Sequence, residues 1–78
     1  MNEAETLVDA SGLRCPLPVL KTRKAIKGLR AGDKIRVIST DPASPLDFKH
    51  FCNTGGHELE AIEKDDNQII LLIRKGRD

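Results

Sequence analysis

The chain predicts an α/β (α+β) two-layer sandwich of order β-α-β-α-β-β, with a four-stranded mixed sheet and two helices on one face. Three observations carry this. Short runs rich in aliphatic and β-branched residues alternate with two proline-containing helix starts, Cys15-Pro16-Leu17-Pro18 and Ser44-Pro45-Leu46-Asp47. The last two such runs are separated by Asp65-Asp66-Asn67, a hairpin turn. A length of 78 residues, 38% hydrophobic and 32% charged, fits one domain over 1–78 with a modest core.

Taken in order, Thr6 to Asp9 reads as a short strand closed by Ser11-Gly12. The next element opens on prolines, which a helix tolerates only in its first turn, where a missing N–H and a fixed φ do no harm. Pro16 at the first helical position and Pro18 at the third satisfy that rule, so Cys15 falls at or next to the N-cap. Val19, Thr22, Ile26 and Leu29 then recur at helical spacing, to about Gly28. Ala31-Gly32-Asp33 is a turn, and Lys34 to Thr40 alternates as a strand with Ile35 and Val37 on one side. In the second helix Ser44 can cap, Pro45 can take the first position and Asp47 can complete a capping box. Its Phe48, Phe51 and Cys52 share a face, and the helix should end before Gly55-Gly56. Strands His57 to Glu63 and Gln68 to Lys75 finish the fold. The run Ile69 to Ile73 is apolar on both sides, so either that strand is central and shielded or the open face of the sheet docks something.

Composition narrows the function. The N-terminus, with Glu3 and Glu5, has no apolar leader, and the longest aliphatic run is far too short to span a membrane, so a cytoplasmic protein is expected. Two cysteines are too few for a disulfide scaffold. His50 and Cys52 diverge by ~200° on a helix and so make no metal site; no metal and no cofactor are expected. The net charge of +1 and the presence of only two aromatic residues, both assigned to the core, argue against direct nucleic-acid binding.

Cys15 is the candidate reactive group. Between Ala10 and Gly32 there is no Asp or Glu, whereas Arg14, Lys21, Arg23, Lys24, Lys27 and Arg30 are cationic. A thiol at the start of such a helix is expected to have its pKa lowered by the macrodipole and the surrounding charge. Arg14, Pro16, Leu17 and Pro18 would support it, and Lys21, Arg23, Lys24 and Lys27 would form a docking face for acidic partners. No general base stands beside Cys15 in sequence. Asp41 reads as a turn group, Asp47 as a cap group and Cys52 as core.

The segment Asp9-Ala10-Ser11-Gly12-Leu13-Arg14-Cys15-Pro16-Leu17-Pro18 closely resembles the Cys-Pro-x-Pro signature of the TusA-like, or SirA-like, sulfur carriers. Asp41-Pro42-Ala43, Asp47, Phe51-Cys52, His57-Glu58-Leu59 and Ile73-Arg74-Lys75-Gly76 resemble later parts of the same family, so the likeness covers nearly the whole chain. It implies a sulfur carrier of sulfurtransferase type, a relay more than an independent enzyme. Cys15 would accept sulfane sulfur as a persulfide from a donor protein, of cysteine desulfurase or rhodanese type, and hand it to an acceptor sulfur-relay protein. Members of the family feed tRNA thiolation, molybdenum cofactor supply, sulfur oxidation or selenium metabolism. Leu17 stands where some members carry an acidic residue, which bears on the partner rather than on the sulfur chemistry. A monomer is expected. The alternatives are a nucleic-acid-binding or regulatory module using the basic helix and a thiol redox protein cycling between Cys15 and Cys52.

Overall fold

The computed structural model describes residues 5–76; Glu3, part of the reading of the N-terminus, lies outside them. The elements are β1 (Glu5–Ala10), α1 (Leu17–Ile26), β2 (Lys34–Ser39), α2 (Ser44–Gly55), β3 (Glu58–Asp65) and β4 (Gln68–Arg74). They form one four-stranded sheet in the order β1-β2-β4-β3. β1 runs parallel to β2, and β4 is antiparallel to both β2 and β3. The expected α+β sandwich is therefore the observed one.

Strand alternation decides which side is covered. Val8 and Ala10 of β1, Ile35 and Val37 of β2, and Ile69, Leu71 and Ile73 of β4 are buried, and they form one core with Ile26, Phe48, Phe51 and Cys52 of the helices. Each fully buried side chain of this size contributes about 1.5–3 kcal/mol. Phe48 and Phe51 pack edge to face with ring centroids 6.2 Å apart. Among the described residues no helix covers the other face of the sheet, and Ile38, Ile70 and Leu72 are half-buried there. The Ile69–Ile73 run is central, since β4 lies between β2 and β3, but its outer-face residues Ile70 and Leu72 are only half-buried.

Both helix starts differ from expectation. α1 begins at Leu17 with Pro16 as its N-cap, so Pro16 and Pro18 are at N-cap and N2 rather than N1 and N3. Cys15 stands one residue ahead of the cap, and the Cys15–Pro16 peptide is cis. In α2 the N-cap is Ala43, Ser44 is already helical and Pro45 is at N2. No side-chain oxygen caps either helix. The hydroxyl of Ser44 is instead buried against that of Ser39 at the end of β2. α2 also runs through Gly55, and Gly56 closes it in the left-handed region at φ 76°.

Strand ends shift by a residue or two: β1 extends to Glu5 and Ala10, β2 stops at Ser39, β3 spans Glu58–Asp65 and β4 stops at Arg74. A bulge at Leu59–Ala61 turns Glu60 toward Arg74 and Lys34, with N–O separations of 3.2 and 3.7 Å. The hairpin turn is as expected, and Asp66 adopts the left-handed conformation at φ 50° that Asp tolerates.

Candidate functional site

The parallel pairing of β1 with β2 builds the site. Their register sets Ala10 opposite Ser39, so the segments leaving the two strands, 11–16 and 40–43, emerge side by side. Ligand sites on sheets with parallel strands form at such carboxyl ends. The segments are bonded together: Gly12 N–H donates to Thr40 Oγ1 at 2.9 Å, and Cys15 N–H donates to Asp41 Oδ2 at 2.6 Å. The other oxygen of Asp41 accepts from Ala43 N–H at 3.1 Å, and its own N–H donates to Ser39 Oγ at 3.2 Å. Asp41 thus makes the expected turn and also fixes the backbone of Cys15, a distant partner that its sequence neighbours do not indicate.

With its amide held, Cys15 is exposed. It opens on a cleft of about 510 Å³ lined by Gly12, Leu13, Arg14, Thr40, Asp41 and Pro42. Leu13 is shared with a second groove of about 510 Å³, where Leu17 and Leu20 lie among Lys21, Arg23, Lys24 and Lys27. Leu17 and Leu20 are 48% and 47% exposed, unusual for leucines on an otherwise polar helix face. The structure brings Arg14, Cys15 and the four basic residues to one continuous surface. Within it Lys21 is partly engaged, since its Nζ donates to Asp9 O at 2.6 Å. The role of Leu17 and Leu20 as surface was not legible in the periodicity, although both fall off the Val19–Thr22–Ile26 stripe.

The electrostatics of Cys15 correct the sequence reading. Its thiol pKa is raised, first by a hydrogen bond to the Asp47 carboxylate, then by partial desolvation and by the negative charges of Asp47 and Asp41. The absence of acids holds along α1 but not in space, because the charges of Asp41 in the β2–α2 connection and Asp47 in the first turn of α2 both act on the thiol. The helix amides are also committed locally: Leu17 N–H donates to Arg14 O at 2.8 Å. Asp41 is shifted the other way, held below the usual carboxylate range chiefly by the N–H groups of Ala43 and Cys15, with a further contribution from the Arg14 guanidinium. Arg14 therefore acts toward Asp41 as well as toward the cleft.

Cys52 is in the core at 3% exposure, and burial pushes its thiol up to about 11. Both cysteines are free. A disulfide cycle would have to join an exposed loop thiol to one packed beside Phe48 and Phe51. Among the described residues no cluster of three His, Cys, Asp or Glu side chains is arranged to hold a metal ion, and no helix is long and apolar enough to cross a membrane.

An exposed thiol, fixed at its amide and set between an open cleft and a basic, leucine-bearing groove, defines a protein that presents sulfur to other proteins. Comparison with known proteins agrees: residues 6–75 match the family described as sulfurtransferase TusA, and the chain belongs to that family. It is 39% identical over 74 residues to the sulfur carrier protein TusA of Pseudomonas putida, an alignment covering 95% of this chain and 92% of that one. A putative sulfur carrier protein of Neisseria meningitidis serogroup A is also 39% identical, over 71 residues that cover 91% and 95% of the two chains. Among solved structures, a SirA-like protein of Desulfitobacterium hafniense superposes with a TM-score of 0.79 at 30% identity, covering 92% of this chain and 99% of that one.

Proposed function

We infer that the protein is a sulfur carrier that accepts sulfane sulfur on Cys15 as a persulfide and passes it to an acceptor protein. The observation that carries this reading is the exposure of Cys15 at the mouth of a cleft while its backbone is bound to Asp41. A carrier needs an accessible sulfur whose position is reproducible from one partner to the next. Both half-reactions are exchanges at sulfur, and each follows the rules of thiol–disulfide exchange. Donor and acceptor dock in turn on the surface around Leu17 and Leu20, where Arg23, Lys24 and Lys27 meet acidic groups of the partner. The donor is of cysteine desulfurase or rhodanese type, and the setting is the cytoplasm.

Intact-mass spectrometry after incubation with a cysteine desulfurase and free cysteine tests this directly. One added sulfur atom is expected on the wild type and on Cys52→Ser, and none on Cys15→Ser. The absence of any adduct with desulfurase and rhodanese donors alike would refute the carrier role. Charge reversal at Arg23 and Lys24 should slow loading from the protein donor while leaving loading from a small persulfide unchanged.

A further inference from the structure

We propose that the open face of the sheet is a second docking surface, and that it takes an amphipathic helix of another protein whose apolar stripe is flanked by lysine or arginine. This surface is separate from the one assigned to sulfur exchange and does not depend on the sulfur-carrier reading.

β4 is apolar at five successive positions, Ile69 to Ile73, the pattern of a strand covered on both faces. Among the described residues the helices cover only one of those faces. On the other, the register sets Ile38 beside Ile70, with Leu72 one step further along β4. Leu7 extends the patch onto β1 and is 60% exposed; Arg36, between Leu7 and Leu72 in register, is drawn aside to Glu5 at 3.2 Å. An apolar sheet face of this kind is buried by a further layer of structure.

Charge selects the layer. Along one row of the sheet the register reads Asp9, Ile38, Ile70, Glu63, two isoleucines between two exposed carboxylates. Adjacent strands lie ~4.8 Å apart, so three steps separate Asp9 from Glu63 by about 14 Å. A helix is about 10–12 Å across. Laid along β2 and β4 over Ile38, Ile70 and Leu72, it brings a basic side chain on either flank to one of these acids. Neither acid forms an ion pair with a described residue, whereas the charges at the other end of the face are already matched: Arg74 bonds Glu58 and Glu60, and Lys34 pairs with Glu60 at 3.7 Å. The strands present six carboxylates and three cations on this face, so two copies set face to face repel and a basic occupant is favoured. The helices lie on the opposite side of the sheet, so an occupant here leaves the α1 groove clear. One partner can then hold the protein while another docks on α1.

The probe is a labelled synthetic peptide of leucine and lysine at helical spacing, with a leucine and glutamate peptide of the same pattern as its counterpart. Fluorescence anisotropy with the full chain gives the affinity, and amide chemical shifts of isotope-labelled protein give the place. Saturable binding of the lysine peptide is expected, weakened by salt, with shifts centred on Ile38, Ile70 and Leu72. Ile70→Thr and Glu63→Lys, both outside the core, should together weaken it by roughly tenfold or more. Arg23→Glu with Lys24→Glu should leave it unweakened. No saturable binding, or shifts that map to α1, would overturn the proposal. So would tighter binding of the glutamate peptide at the sheet face. Self-association in sedimentation that Ile70→Thr and Glu63→Lys abolish would overturn it as well, since it assigns the face to a second copy. The shift map is read on the wild type and decides the matter whether or not a variant folds.

Discussion

The serine pair under the site offers a direct measure of what holds it. Ser39 and Ser44 are 0% and 1% exposed, and their hydroxyls bond each other across the β2–α2 connection. Ser39 Oγ also accepts from the N–H of Asp41, the residue that fixes Cys15. Replacing Ser44 by Ala leaves one buried hydroxyl with one lost partner, a change that costs about 1–2 kcal/mol. Replacing Ser39 by Ala orphans two groups, the Ser44 hydroxyl and the Asp41 amide, and should cost about 2–3 kcal/mol. In the double variant no buried hydroxyl remains and only the Asp41 amide is unpaired. Its cost should therefore be about 2 kcal/mol, below the sum of the singles by at least ~1 kcal/mol. For a domain of this size the Ser39→Ala effect is a fall in Tm of roughly 10–20 °C. Urea unfolding followed by circular dichroism gives all three values from midpoints at constant slope. Additive costs, or a Ser44→Ala variant within ~0.5 kcal/mol of wild type, would show that the pair is not coupled and refute the reasoning.

Two further perturbations probe the scaffold. Burial raises Cys52 from 9.0 to about 11, so in the native state it keeps its proton where the unfolded chain has lost it. Its contribution is constant below pH 9 and stability declines as pH rises toward 11, by on the order of 1–2 kcal/mol; Cys52→Ala should flatten that slope in pH-dependent unfolding. Under native conditions at neutral pH, iodoacetamide should modify Cys15 alone, with a second adduct only after denaturation. Gly56 closes α2 at φ 76°, and a Cβ added there meets nothing within 4 Å. Gly56→Ala therefore costs backbone strain without a clash, about 1–2 kcal/mol in thermal unfolding, and a variant as stable as wild type would contradict the left-handed cap.

The elements were legible because hydrophobic period and proline position are local signals. Val8, Ile35, Val37, Leu71 and Ile73 alternate, and each is buried where its strand requires. The placement of Cys15 beside a helix start was legible too, since prolines at 16 and 18 fit only a first turn. The carboxylates beside it were not. Asp41 and Asp47 are 26 and 32 residues away in sequence, and the register that sets Ala10 beside Ser39 is what carries the Asp41 loop and the α2 start that follows it toward Cys15. The strand–helix–strand order alone held that information, because it makes the ends of β1 and β2 neighbours.

The misread positions share one physical cause. Ser44 and Asp47 have the residue types and spacing of an N-cap and its capping box, yet neither bonds its own helix. Ser44 pairs with Ser39, and the Asp47 carboxylate raises the pKa of the Cys15 thiol. α2 thereby forgoes a cap worth about 1 kcal/mol, and α1 likewise starts on Pro16 with no side-chain cap. A helix gives up such a bond stably only when the side chain gains more elsewhere, so the failure of the capping rule at two positions of one turn marks where tertiary contacts outweigh local ones. The serine pair reaches the segment that holds Cys15 through the Asp41 amide, and Asp47 helps to raise the pKa of the thiol. The Ser44 hydroxyl withdrawn from α2 reaches Ser39, which holds the amide of Asp41, which in turn holds the amide of Cys15, so the start of α2 as well as α1 shapes the setting of the thiol.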